Sequence, residues 1–329
     1  IQLRIVSPPG LSAAVRRVLE SQAGVTNVAF LEKAVVRPEG DLLLCDVAAE
    51  ATSHVLKELQ HFDLEEHGSI SMTRIDYMLS RAAREAEDEA PGSSANAVVW
   101  EAVEALTSES TQVSASFLAF MAVASLIAAA GLLTDSLILI IGAMIVGPDF
   151  GPIAGACVAL EERRWQLARQ SMVAIVVGFG FAVVTSFVAA LVWRATDLAP
   201  DELLASEGTA TLFVSEPSRW SIIVALAAAV AGMLSLTSEK SGALVGVLVS
   251  VTTIPAAANM GLAVAYTNAD EFWGSAAQLG LNVVSMIAAG TLTLIVLRRA
   301  SRRNWARFRR VSARLTGRRL SGREREPSR

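Results

Sequence analysis

The sequence predicts a polytopic α-helical membrane protein of about six spans, preceded by a small α+β domain. Three observations predict it. Apolar runs long enough to cross a bilayer recur after residue 113. Two of those runs carry proline and glycine near their centres, where a simple anchor has no use for them. The first 80 residues instead alternate short strand-like and helix-like patterns. The composition agrees, with 53% hydrophobic and 18% charged residues and a mean hydropathy of +0.46, too apolar for an ordinary soluble protein.

In the first segment, Leu3 and Ile5 alternate with polar neighbours, as in a half-buried strand. Pro8 and Pro9 open a helix whose Leu11, Ala14, Val15, Val18 and Leu19 share a face, and Gly24 ends it. Val28 and Phe30 mark a second strand, Pro38-Glu39-Gly40-Asp41 a turn, and Leu42 to Val47 a third strand. A helix with Ala51, Val55, Leu56 and Leu59 follows, then a strand with Ile70 and Met72 on one side. The order is β-α-β-β-α-β over residues 1–80, the split ferredoxin-like arrangement. By analogy of fold, such a domain is expected to bind a small ligand and regulate what it is fused to. No cysteine or paired carboxylate completes a ligand set around His54, His61 and His67, so no metal is expected. Cys45 and Cys157 show no disulfide spacing and read as reduced and structural. The first apolar stretch is short and soon followed by charge, so no cleavable leader is expected.

Residues 81–112 read as a linker and an amphipathic helix. RAAREAEDEAPGSSAN (81–96) is helical as far as Pro91 and flexible after it. From Val98 to Gln112, Val99, Val103 and Leu106 share a face away from Glu101, Glu104 and Glu109. That acidity disfavours anionic lipid, so the face is expected to pack on protein.

The transmembrane domain is expected at 113–297, with spans at about 115–133, 136–160, 168–193, 219–237, 241–266 and 277–297. The net charge of −4 conceals a strong asymmetry. Arg163 and Arg164 lie between the second and third spans, with Arg169 just after them, and an arginine-rich segment, 298–329, follows the sixth. Asp197, Asp201, Glu202, Glu207 and Glu216, and then Asp270 and Glu271, occupy alternate loops. Basic residues collect inside, which places both termini in the cytoplasm of a cell (inner or plasma) membrane protein. The arginine tail is expected to lie on anionic headgroups rather than on nucleic acid.

The second half echoes the first. Thr134-Asp135-Ser136 and Ser238-Glu239-Lys240-Ser241 each join a small-residue helix to a long span, broken at Pro148 and Pro152 in one copy and at Pro255 in the other. Gly142 and Gly246 hold comparable places before the breaks. Three spans per copy make two inverted repeats, the arrangement in which interrupted helices point to a transporter site. Asp149 lies at the first break, where a carboxylate either faces a cavity or caps a half-helix. The expected substrate-binding residues are Gly147, Pro148, Asp149, Gly151, Pro152, Thr252, Thr253, Pro255, Asn259 and Asn282. Gly178, Gly180, Gly232 and Gly290 are expected at helix contacts.

Gly131-Leu132-Leu133-Thr134-Asp135-Ser136, Ile141-Gly142-Ala143-Met144 and Gly151-Pro152-Ile153 resemble the domain-of-unknown-function 389 family of bacterial and archaeal integral membrane proteins. Ala243-Leu244-Val245-Gly246-Val247, Ile254-Pro255 and Leu281-Asn282 resemble its second block. The chain departs from that pattern at Asp149, where an apolar residue is usual, and at Ile254, where a second proline is common. The resemblance, over about 110–297, implies an architecture without an established substrate.

A transporter or channel-like permeation unit for a small solute or ion is therefore expected. The alternative is a non-transporting sensor or scaffold whose front domain binds ligand. No His-Glu-x-x-His or Gly-x-Ser-x-Gly occurs and no histidine lies in a span, so neither an enzyme nor a cofactor is expected. The expected partners are the lipid bilayer, the solute, the front domain's ligand and further copies of the chain in a homo-oligomer.

Overall fold

A computed structural model of the chain describes residues 1–75, 78–90, 98–198, 214, 218–238 and 251–323. Linker positions 91–97, where flexibility is expected from the sequence, the acids 201–207 and 216, and positions 239–250 with Gly246 lie outside the described residues. The chain divides into two compact units, Ile1–Glu101 with Arg298–Arg329, and Ala102–Leu297.

The first unit follows its alternation. β1 (Gln2–Ser7), α1 (Pro9–Ser21), β2 (Val25–Val36), β3 (Glu39–Val47), α2 (Ala49–Gln60), the one-turn α3 (Leu64–His67) and β4 (Ser69–Thr73) come in sequence. They build an antiparallel sheet in the order β2-β3-β1-β4. Leu3, Ile5, Leu43 and Cys45 meet Val15, Leu19, Val55 and Leu59 of the two long helices in one core. The hairpin is tighter than the expected turn at 38–41. Val36 already pairs with Glu39, which leaves only Arg37 and Pro38 in the loop. A bulge in β2 is held by Asp41, whose Oδ1 accepts the Lys33 N–H at 2.7 Å while Lys33 sits at φ 49°. That N–H and the Ser12 hydroxyl hold the Asp41 carboxyl below its ordinary value.

The acidic linker is not wholly free of this unit. Its helix α4 (Arg81–Glu89) buries Ala86 and ends at Ala90, which lies in the core. Gly24, at φ +83°, makes room: a Cβ there would stand 2.9 Å from Ala51 Cβ and 3.3 Å from Ala90 Cβ. Two alanines four residues apart form a stripe too narrow to show through the surrounding charge.

Cys45 is buried, and its thiol is pushed up to about 12 by burial, with Asp46 adding to the effect. Cys157 is buried in the second unit and aims its sulfur at the Ile287 carbonyl, 3.6 Å away. A maleimide at pH 7 is expected to label neither cysteine of the native chain and both after denaturation. Rapid labelling of the native chain would contradict this packing.

The second unit is helical. It holds most of α5 (Trp100–Ser110), then α6 (Ala115–Leu133), α7 (Leu137–Val146), α8 (Phe150–Glu162), α9 (Trp165–Ala195), α10 (Arg219–Ser238), α11 (Thr253–Ala265) and the apolar part of α12 (Ala269–Arg323). Ser114 starts α6 by accepting the Phe117 N–H at 3.1 Å. The described residues provide four helices long and apolar enough to span a membrane, α6, α9, α10 and residues 269–303 of α12, with mean hydropathy 2.0–2.5. The bent pair α7 and α8 makes a fifth, while α11 is too short alone. Much of their apolar surface faces outward, as at Ile138, Val176 and Leu292, and exposed Trp165, Trp220 and Trp273 stand near helix starts. Such a belt between aromatic ends belongs in lipid. The chain is a multi-pass membrane protein.

Close packing positions the short helix. α11 lies on α9 at Gly261, and eleven of its thirteen residues are buried. At its end, Arg194 of α9 donates to the Ala265 carbonyl at 2.6 Å and lies 4.9 Å from the Tyr266 ring centroid. A cation there answers the unpaired carbonyls of the helix end. Gly178 and Gly290 do meet neighbouring side chains, whereas nothing stands within 4 Å of a Cβ at Gly180.

Candidate functional site

The site begins with a helix that stops halfway. Ten residues of α7 rise about 15 Å, half of the hydrocarbon core. Gly147 then turns extended, Pro148 follows, and α8 starts at Phe150 with a bend of 51°. The prolines act differently from the expectation that they interrupt helices from within. Pro152 is the third residue of α8, and Pro255 is the third residue of α11. First-turn N–H groups have no intrahelical partner, so proline is tolerated there while barring upstream extension. The first break therefore falls at 147–149 with Pro148 inside it, Gly151 and Pro152 lie within α8, and α11 begins at Thr253 after the non-helical Val251 and Thr252.

The first break touches the start of α11. A Cβ on Gly147 would lie 2.6 Å from Cγ1 of Ile254. Asp149 Oδ2 accepts the Thr253 hydroxyl at 2.5 Å, and Asp149 makes no side-chain capping bond to α8. Beside them Thr252 Oγ1 accepts Nε2 of Gln278 at 3.4 Å and Nδ2 of Asn282 at 3.3 Å. Two turns along α11, Asn259 Nδ2 donates to Ser275 Oγ at 2.9 Å and to Glu271 Oε2 at 3.1 Å. All these side chains except the half-exposed Glu271 are buried.

Glu271, Ser275 and Gln278 were not among the expected residues. With Asn282 they fall at steps of four, three and four, one polar stripe down α12. That spacing is legible in the sequence. The charge pattern places Asp270-Glu271 in a loop, whereas both lie in the first turn of α12.

The first break has a second neighbour. A cavity of about 460 Å³ opens beside Gly147, Pro148 and Gly151, walled by Ser110 of α5, Phe117 of α6 and Leu236 of α10. Thr252, Thr253, Pro255, Asn259 and Asn282 do not line it. The cleft thus lies at the first break, and a packed polar contact joins that break to the start of α11. α5 reaches this region because Gly155 leaves space for Thr111, while Glu104 pairs with Arg164 beyond the end of α8. Among the described residues no three histidines, cysteines or acids group as a metal site; His61 only bonds the Lys57 carbonyl, at 2.9 Å.

A family model, described as a domain of unknown function (DUF389), matches residues 144–288. The chain carries a DUF389 domain. It runs from Met144 in α7 into α12, so the first break, the start of α11 and all ten expected residues lie inside it. An uncharacterized protein of Methanocaldococcus jannaschii is 26% identical over 172 residues, covering 52% of this chain and 50% of that protein. The chain thus spans about half the length of this curated relative. No solved structure matches it. What the DUF389 domain presents chemically at the first break and the start of α11 is a carboxylate, hydroxyls and amides, groups that hydrogen-bond through oxygen and nitrogen.

Proposed function

We propose that the DUF389 domain is a permeation unit, transporter or channel-like, for a small solute or ion. The single observation carrying this reading is the contact of the first break with the start of α11, Asp149 with Thr253 and Gly147 with Ile254. Interrupted helices leave main-chain polarity at depth, which lipid does not tolerate and a guest can use. The common third-residue placement of Pro152 and Pro255 supports two inverted three-span repeats. The remaining parts of the proposal follow the charge pattern and the strand order. Both termini are cytoplasmic, and residues 1–80 form a ferredoxin-like regulatory domain for a small ligand. The basic tail 298–329 lies at the leaflet, and the chain works as a homo-oligomer without cofactor or catalysis.

A second reading, a non-transporting sensor or scaffold, draws on the burial of α11 and on the cleft that stops at the first break. Flux into proteoliposomes of labelled alkali cations and amino acids separates the two. Pro152→Ala and Pro255→Ala are expected to lower the flux about tenfold, equivalent to about 1.4 kcal/mol in the barrier. Unchanged flux in both variants, or none in the parent chain, leaves the scaffold reading.

A further inference from the structure

We infer that the polar seam between α11 and α12, ending at Asp149, binds a monovalent alkali cation of sodium size. This deepens the permeation reading and rests on it only for what the cation is used for.

The first argument is an excess of oxygen. Asp149 offers a carboxylate, and the Thr253 hydroxyl is already spent on it. Thr252 Oγ1 takes amide hydrogens from both Gln278 and Asn282. Oε1 of Gln278 is then buried with no hydrogen-bond partner among the described residues, and so is Oδ1 of Asn259. The Asn259 amide cannot simply be turned over, because its oxygen would then face the Glu271 carboxylate in place of the N–H that bonds it. Buried acceptors left unpaired are costly, so two on a single seam each call for a donor or a cation.

The second argument is the kind of oxygen. A carboxylate, hydroxyls and amide carbonyls are ligands for hard cations, and no sulfur or imidazole ligand accompanies them in this seam. One charge is the right number: a single carboxylate at the break is neutralised by a monovalent ion. Calcium asks for six to eight oxygens with several carboxylates, and magnesium keeps its water. A proton on Asp149 would leave both amide oxygens as they are.

The third argument is access. Glu271 stands half-exposed in the first turn of α12. Ser275, Gln278 and Asn282 follow down the helix at steps of about 5–6 Å. Negative charge at the end of the seam draws the ion in, and the neutral oxygens replace its water stepwise.

The test uses the purified full chain in detergent, melted in sodium, lithium, potassium or choline chloride at equal ionic strength. A saturable rise of about 3 °C or more in sodium over choline is expected. Asp149→Asn and, independently, Gln278→Leu are expected to remove it, while Ser116→Ala on the cleft rim keeps it. Should Asp149→Asn fail to fold, Gln278→Leu and Asn259→Leu answer the same question. Identical melting in all four salts overturns the proposal, as does a shift that follows pH alone or survives undiminished in the folded seam variants. Flux on the same preparations separates the two readings. Solute flux without a cation-dependent shift sinks the site and spares permeation, and the shift without flux does the reverse.

Discussion

Gly261→Ala is expected to destabilise the chain by about 1–3 kcal/mol, and Gly261→Leu to prevent its folding. The cause is backbone, not side chain. A Cβ at 261 would run into the Val183 carbonyl oxygen, 2.7 Å from Ser186 Cβ and 2.8 Å from the Phe187 nitrogen, all on α9. A helix backbone cannot step aside, so α11 must lift off α9 and strain the Arg194 bond to Ala265. Gly142→Ala is the control, since nothing stands within 4 Å of its Cβ in α7. There the loss of glycine flexibility stabilises by about 0.5–1 kcal/mol. Thermal unfolding read by exposure of Cys157 measures both; equal effects at the two positions would contradict the α9–α11 contact.

Thr253→Val is expected to cost about 2–4 kcal/mol, because it strips a buried carboxylate of its hydroxyl donor. Asp149→Leu in the same chain is expected to restore most of that loss, since an apolar pair of similar volume needs no partner. Thr253→Ser, which keeps the hydroxyl, stays near the parent. A double-mutant cycle at 149 and 253 checks the coupling. Strictly additive effects would mean that the 2.5 Å bond does not hold the first break to α11.

Of the six expected spans, four and the bent fifth were legible, as was the alternation of the small front domain, because their burial is simple. Lipid demands long apolar helices, and a half-covered sheet demands alternation, as at Leu3 and Ile5. Ala86 and Ala90 were not legible, because two methyl groups bury little area beside six charges in one short helix (81–89). The break was read from Pro148, which does lie in it, but Pro152 and Pro255 stand in the first turns of α8 and α11 rather than at a break. Proline in a first turn and proline in mid-helix look alike in a string of letters. Of the polar cluster, Asp149, Thr253, Thr252, Asn259 and Asn282 were anticipated one by one, yet their pairing across the chain was not. Gln278 and Ser275 are ordinary polar residues until the period of α12 places them beside Asn282.

The enclosure of α11 has a consequence for where the protein can work. A helix in contact with acyl chains must match the bilayer's thickness or tilt, and membranes of different thickness sort proteins on that basis. With eleven of thirteen residues sheathed by its neighbours, α11 is about 20 Å long and feels no such match. Thinning or thickening the membrane is therefore registered by the outer helices, while the segment bearing Thr253 and Asn259 keeps its geometry.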